Sequence, residues 1–186
     1  MPAHKQFKGK QIVMGDSQAA ISKLKNQNIF TAILTGDQVS PAQAVAKAVG
    51  VDGLYAQLLP QEKLDQLQQL RKEKGSVMFV GDGINDAPVL AGADVGAAMG
   101  SGSDAAIEAA DVVFMTSQVS AIPQALHIAA KTKSIAWQNV IFALTIKLIV
   151  MILGLTGHAS MWAAVFADSG VAMLCVLNAI RLLKNH

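Results

Sequence analysis

The sequence is poor in features that mark several common classes of protein. It has one cysteine, Cys175, so no internal disulfide can form, and cysteine usage says little about the redox compartment. The net charge is only +2 and no basic stripe with interleaved aromatic residues occurs, which argues against nucleic acid as a partner. No apolar signal-peptide core follows the first lysines. Only 15% of the 186 residues are charged and 52% are hydrophobic, an apolar balance for a soluble domain.

The excess of apolar residues is confined to the C-terminal third. Up to residue 133, short apolar runs alternate with helical patterns, which predicts an α/β fold with a doubly wound parallel sheet. Strands are expected at 11–14, 29–34, 54–56, 77–80, 94–98 and 112–115, and helices at 17–26, 41–49, 60–70, 85–90, 105–109 and 119–134.

The stretch Gly-Asp-Gly-Ile-Asn-Asp-Ala-Pro at 81–88 carries most of the candidate chemistry. It places Asp82, Asn85 and Asp86 at the carboxyl end of a buried strand, the edge where α/β sheets bind ligands. Hard oxygen ligands, beside glycines that turn the backbone and admit a phosphate, suit Mg²⁺ bound with a phosphoryl group. The alternative is a helix N-cap surrounded by ordinary surface acids.

This stretch and the segment that follows it, Ala91 to Asp104, resemble the hinge motif of the P-type cation-transporting ATPases. These enzymes are members of the haloacid dehalogenase-like superfamily, and the resemblance covers nearly the whole chain from about Ile29 onward. It implies that Asp82 holds Mg²⁺ and that Asn85 and Asp86 support the phosphate site.

Two further stretches match the phosphoryl-binding motifs of this family. Thr35, Gly36 and Asp37 follow the strand at 29–34 and resemble its Thr-Gly-Asp motif, which implies that Thr35 binds phosphoryl oxygens. A turn before a helix uses the same residues. Lys63 matches the lysine of a Pro-x-x-Lys motif that offsets charge on the nucleophile and phosphate. Outside this resemblance, a lone lysine in a first helical turn is usually a solvated charge.

Asp16 is a candidate nucleophile, since a dehalogenase-like enzyme needs an aspartate just after its first strand. P-type ATPases carry that residue in an Asp-Lys-Thr-Gly-Thr motif, and residues 15–18 do not match it. Asp16 resembles instead the acid that follows the nucleotide-binding domain, and it can also serve as an N-cap. A small membrane-anchored phosphatase that uses Asp16 stays open as an alternative function.

The C-terminal third contains two apolar runs, 135–157 and 161–183. As helices each extends about 35 Å, enough to cross a bilayer core of about 30 Å. The short connection between them lacks lysine and arginine, so the positive-inside rule predicts a multi-pass hairpin in the plasma or inner membrane with the preceding domain and the C-terminus cytoplasmic. The alternative is a buried core hairpin. Basic residues flank the two runs: Lys131, Lys133, Arg181 and Lys184.

Lys147 and Asp168 lie within these runs, each about 15 Å from the connecting turn and therefore at one depth on adjacent helices. Ionisable residues there are costly unless they are paired or functional. The pair is either structural or a metal-binding carboxylate with a lysine as counter-charge. Lys147 and the Ala-Asp-Ser-Gly stretch at 167–170 resemble the zinc, cadmium and lead exporters. Soft side chains such as Met151 would instead suit copper.

The resemblance implies the C-terminal portion of an ATP-driven Zn²⁺, Cd²⁺ or Pb²⁺ efflux pump that works through an aspartyl-phosphate. The expected organisation is an N-terminal edge at 1–28, a haloacid dehalogenase-like phosphorylation domain at 29–134 and a transmembrane hairpin with a tail at 135–186. Mg²⁺ and ATP would serve the complete pump, lipid would surround the hairpin, and the rest of the pump could be a separate chain. Without the phosphorylated aspartate we expect the chain alone to be inactive. A fragment of a copper-type ATPase, or a non-enzymatic module that binds a metal or a partner, would also fit the sequence.

Overall fold

Helices and parallel strands alternate through the first two thirds of the chain, as the sequence predicts. The structure, a computed structural model, describes residues 16–100, 102–157 and 160–183. The strand expected at 11–14 and part of the connection between the two apolar runs lie outside these residues. The chain divides into two compact units after Pro123, whereas the domain boundaries inferred from the sequence stay predictions.

The first unit begins with helix α1 at 16–25. The elements that follow are β1 (Ala32–Leu34), α2 (Val39–Val49), β2 (Gly53–Tyr55), α3 (Pro60–Lys74), β3 (Met78–Gly81), a 3₁₀ turn (Ile84–Asp86), α4 (Ala87–Gly92), β4 (Val95–Met99), α5 (Asp104–Ala109) and β5 (Val112–Phe114).

The described strands form two parallel sheets. Strand β1 pairs with β2, with Ile33 opposite Leu54. Strand β4 lies between β3 and β5, with Val80 opposite Ala97. Because the strands of each sheet run the same way, the loops that follow them lie at the same edge of that sheet. The α/β class with parallel strands is therefore confirmed.

Strand β1 is shorter than the predicted strand at 29–34, and directly before it a side chain bonds the backbone N–H of Thr31. The Asp52 carboxylate accepts hydrogen bonds from the backbone N–H of Thr31 at 2.9 Å and from its hydroxyl at 2.8 Å. Lys25 completes this contact, with its Nζ 2.7 Å from Asp52 Oδ1. A carboxylate that bonds the backbone competes with a strand ladder. These bonds also tie the end of α1 to the start of β2.

The core of the first unit lies between α4 and β4, where Leu90 and Ala98 are fully buried. The hydrophobic pattern of helix α2 predicts a buried face of Ala44, Val45, Ala48 and Val49, but the structure buries a different one. Its buried residues are Ala42 and Ala46, and Val45 is 39% exposed. In an alanine-rich helix several faces are similarly apolar, so the hydrophobic pattern does not select the buried one.

Helix α6 runs without a break from Ala121 to Leu155, so the prediction of two separate helices at 119–134 and 135–157 is wrong. Pro123 stands in its first turn, where proline is tolerated, and neither proline nor glycine follows before Gly154. Among the described residues, α6 is the one helix that is both long and apolar enough to cross a membrane.

The second apolar run is helical in three consecutive segments: α7 (Met161–Val165), a π-helical turn (Phe166–Gly170) and α8 (Val171–Ile180). The Val171 N–H donates to the Phe166 carbonyl five residues earlier. Gly170 makes room for the Phe166 ring, because a Cβ at this glycine would lie 2.6 Å from a ring carbon. Such turns are frequent at functional sites, and this one contains Asp168.

Candidate phosphoryl and metal sites

The loop after β3 presents oxygen atoms at the carboxyl edge of the three-stranded sheet. Asp82 follows the last residue of the strand and is exposed, as is Asn85 in the 3₁₀ turn. The side chains of Asp82 and Asn85 form no hydrogen bond or ion pair with any other residue in the described part of the chain. Their oxygen atoms are therefore available to a ligand.

Lys63 and Asp86 form an ion pair beside this loop. Lys63 Nζ lies 2.8 Å from Asp86 Oδ1, and each side chain is only 15% exposed. Lys63 stands in the first turn of α3, whose start is fixed by the Glu62 carboxylate accepting a 2.8 Å hydrogen bond from the Leu59 N–H. The structure thus joins two of the predicted site residues through elements far apart in sequence.

Gly81 allows the close approach of Asp86 to the end of β3. A Cβ at Gly81 would lie 2.9 Å from Asp86 Cβ and 3.1 Å from the Phe79 ring. The sequence predicts that Gly81 and Gly83 turn the backbone sharply, but neither has a positive φ. Gly81 is needed for the space it leaves.

The backbone of Asp82 is held by the loop that follows β4, a contact that sequence reasoning missed. The Ser103 N–H donates to the Asp82 carbonyl at 2.9 Å. Gly102 lets this loop approach, since a Cβ there would lie 2.8 Å from the Met99 carbonyl oxygen and 3.1 Å from that of Asp82. The only signal in the sequence is a glycine beside a serine that caps α5.

The Thr-Gly-Asp loop after β1 is held by hydrogen bonds between its own residues. The Thr35 hydroxyl donates to Asp37 Oδ2 at 3.0 Å and accepts from the Asp37 N–H at 3.1 Å. A Cβ at Gly36 would lie 3.3 Å from the Leu58 carbonyl oxygen. No hydrogen bond or ion pair of the described residues joins Thr35 to Lys63 or Asp82. A common phosphoryl site of these three residues therefore stays a prediction.

The side chain of Asp16 forms a hydrogen bond that links two helices. It stands at the start of α1 as the structure describes it, and its Oδ2 accepts a 3.2 Å hydrogen bond from the Ser120 N–H, directly before α6. This bond ties the start of α1 to the start of α6 and disfavours Asp16 as a nucleophile.

In the second unit, Lys147 Nζ lies 3.3 Å from Asp168 Oδ1. The lysine side chain is 57% exposed and the aspartate 79% exposed, so the pair lies on the flank of the hairpin. Among the described residues, no group of three or more histidine, cysteine, aspartate or glutamate side chains could hold a metal ion. Asp168 would therefore need further ligands to bind one.

Residues 3–94 match the family model of the haloacid dehalogenase-like hydrolases. The chain is 52% identical over 173 residues to the zinc-transporting ATPase of a Synechocystis species, and the match covers 91% of this chain and 24% of the relative. It is 51% identical over 174 residues to the cadmium, zinc and cobalt-transporting ATPase of Bacillus subtilis, with coverages of 91% and 25%. The crystal structure of a zinc-transporting PIB-type ATPase in its E2·Pi state matches 90% of this chain with a TM-score of 0.86 and 38% identity, over 28% of that structure.

The chain belongs to the heavy-metal P-type ATPases. It spans about a quarter of the length of the curated relatives that it matches. The resemblance found in the sequence is thereby confirmed, both for the dehalogenase-like part and for the heavy-metal branch of the family.

The loop after β3 of this P-type ATPase chain has a donor set that fits Mg²⁺. This ion is usually held by one or two carboxylates together with water and phosphate oxygens. Asp82 offers an exposed carboxylate, whereas Asp86 has one oxygen bound by Lys63. Asp82 is therefore the main candidate ligand, and the second oxygen of Asp86 is a further candidate.

Proposed function

We propose that this chain provides the phosphoryl-handling edge and part of the ion path of an ATP-driven export pump for Zn²⁺ or Cd²⁺, with Pb²⁺ as a further substrate. The observation that carries the proposal is that one chain combines two ion pairs: Lys147–Asp168 on an apolar hairpin, and Lys63–Asp86 beside the loop after β3. The relatives named above, which transport zinc and cadmium, support the choice of metal.

At the phosphoryl edge, Lys63 and Thr35 bind phosphoryl oxygens and Asp82 holds Mg²⁺, which neutralises phosphate charge when bound. Asp86 keeps the Lys63 ammonium in place before a phosphoryl group arrives, as their 2.8 Å contact indicates. A cation held ready in this way costs no reorganisation at the moment of reaction. Asn85 is placed to support the phosphate from the same loop.

In the hairpin, Asp168 binds the transported cation and Lys147 is its counter-charge. An unpaired carboxylate in a bilayer is costly, so the ammonium neutralises it while no metal is bound. A divalent cation takes over this role and repels the ammonium. Lys147 thus competes with the metal for Asp168, which favours release once the surrounding pump changes conformation.

The exposed flank of the pair fits a site that is completed by other parts of a pump. Asp168 is 79% exposed, and further ligands from neighbouring helices can reach it. In this arrangement the hairpin crosses the plasma or inner membrane twice, with the first unit and the C-terminus cytoplasmic. ATP binds elsewhere in the complete pump, which includes the phosphorylated aspartate, either on the same chain or on a separate one.

A chimera tests this function. The segment of the Bacillus subtilis relative that aligns with this chain over 174 residues is replaced by this chain, and ATP hydrolysis is measured with Zn²⁺, Cd²⁺ or Cu⁺. We expect stimulation by Zn²⁺ and Cd²⁺ and none by Cu⁺. The unmodified relative is the control for assembly, and stimulation by Cu⁺ alone would instead favour a copper pump.

A further inference from the structure

The hairpin contains a second polar contact between its helices, which we name the asparagine clamp: Asn139, Cys175 and Asn178. Asn139 Nδ2 donates to the Cys175 carbonyl at 3.0 Å, and Asn139 Oδ1 accepts from Asn178 Nδ2 at 2.8 Å. The Cys175 thiol lies 3.7 Å from the Asn139 carbonyl as a weak donor. Both ends of the Asn139 amide are therefore bonded to the opposite helix.

The clamp and the Lys147–Asp168 pair belong to the same alignment of the two helices. Lys147 lies about 12 Å beyond Asn139 along α6, at about 1.5 Å per residue. On the opposite helix, Asp168 lies at a similar distance from the clamp, in the opposite chain direction. In an antiparallel pair of helices, residues that lie at equal distances from a common contact face each other. The position of the clamp thus determines which residue faces Lys147.

Between the clamp and the ion pair, the less exposed residues include small apolar ones. Ala143 on α6 is half-buried and Val171 on α8 is buried, with Gly170 next to it. Small apolar side chains let helices approach closely, but they form no directional bonds that distinguish one alignment from another. The ion pair also favours this alignment, so it has to be removed when the contribution of the clamp is measured.

We infer that the asparagine clamp is the positioning element that keeps Lys147 opposite Asp168. A single asparagine between helices fixes their register because a shifted partner would leave its amide unpaired in apolar surroundings. Asn139 lies about 12 Å along α6 from Lys147, so the clamp acts through the alignment of the helices. The inference rests on the proposed function for the metal role of the pair, but the alignment itself can be measured without metal.

Disulfide cross-linking of the full chain in lipid nanodiscs measures this alignment. Cys175→Ser removes the native thiol and keeps a donor at that position. Lys147→Cys is then combined with Asp168→Cys, or with a cysteine one turn away on either side, Ala164→Cys or Ala172→Cys. The cysteines remove the ion pair, so only the clamp and the apolar contacts hold the register. With the clamp intact, we expect the 147–168 disulfide to form in clear preference to the other two.

Asn139→Leu and, independently, Asn178→Leu should reduce this preference between about threefold and about tenfold, the range that interhelical hydrogen bonds in membranes support. Gln138→Leu, an exposed neighbour on the same helix, is the matched control and should leave the preference unchanged. Transfer of cross-linking from 147–168 to the shifted pairs supports a positioning role.

Two results would overturn the inference. One is an unchanged preference in both leucine variants. The other is an equal loss of all three disulfides, because that shows a general loss of the hairpin and no change of register. Failure here leaves the metal role of Asp168 untouched, whereas failure of Zn²⁺ stimulation in the chimera would remove that role and leave the alignment result standing.

Discussion

Replacing Lys63 by methionine should destabilise the first unit by about 2 kcal/mol. Methionine keeps most of the apolar stem but leaves the Asp86 carboxylate without its partner, and both side chains are only 15% exposed. Breaking a fully buried pair costs about 3–5 kcal/mol, while exposed pairs contribute about 0–1 kcal/mol. The pair at the edge of the sheet lies between these limits. Lys63→Met with Asp86→Asn removes both charges and should recover about 1 kcal/mol of the loss.

Tryptophan fluorescence would not report on the first unit, because both tryptophans, Trp137 and Trp162, are in the second unit. Hydrogen exchange of the full chain in nanodiscs is therefore the suitable assay. A loss of about 2 kcal/mol should speed the exchange of the most protected amides of β3 and α4 about thirtyfold. Lys72→Met, an exposed lysine on the same helix, is the control. Equal exchange rates in the Lys63 and Lys72 variants would refute the reasoning that the pair is energetically important.

The hydrogen bond from the Lys25 ammonium, with help from Thr31, lowers the pKa of Asp52 from 3.8 to about 2. The ionised Asp52 therefore stabilises the fold by about 1 kcal/mol after solvent screening. This stabilisation is present above pH 3.8 and is lost as the pH falls toward 2. Hydrogen exchange between pH 4 and 2 should show this loss in the parent chain and not in Asp52→Asn. Gly102→Ala should shift the Asp82 backbone and weaken Mg²⁺ binding severalfold in a calorimetric titration, since its Cβ would lie 2.8 Å from a carbonyl oxygen. The chain alone with Mg²⁺, Zn²⁺ and labelled ATP should form no phosphoenzyme, and a hydroxylamine-sensitive label on Asp16 would contradict this.

The sequence was informative where one local pattern determines the chemistry. The alternation of strands and helices predicted the parallel α/β class, and equal spacing from the connecting turn placed Lys147 and Asp168 at one depth, where the structure has them 3.3 Å apart. Motif position also predicts that Lys63 and Asp86 belong to one site, and the structure joins them by a 2.8 Å ion pair.

The structure was needed where contacts between distant residues decide the outcome. Nothing local to Thr31 shows that Asp52 bonds its backbone N–H, and nothing local to Asp82 shows that Gly102 and Ser103 hold its backbone. The asparagine clamp joins residues on two helices that look like ordinary apolar spans. In the alanine-rich α2, the hydrophobic pattern did not distinguish the buried face from its neighbours.

In the proposed pump, Asp168 binds the transported metal and Lys147 competes with it. The most direct measurement is Zn²⁺-stimulated ATP hydrolysis and Zn²⁺ release in the chimera, compared for the parent, Asp168→Ala and Lys147→Ala. We expect that Asp168→Ala abolishes stimulation by Zn²⁺, and that Lys147→Ala binds Zn²⁺ equally or more tightly but releases it more slowly. Normal zinc transport by Asp168→Ala would contradict it.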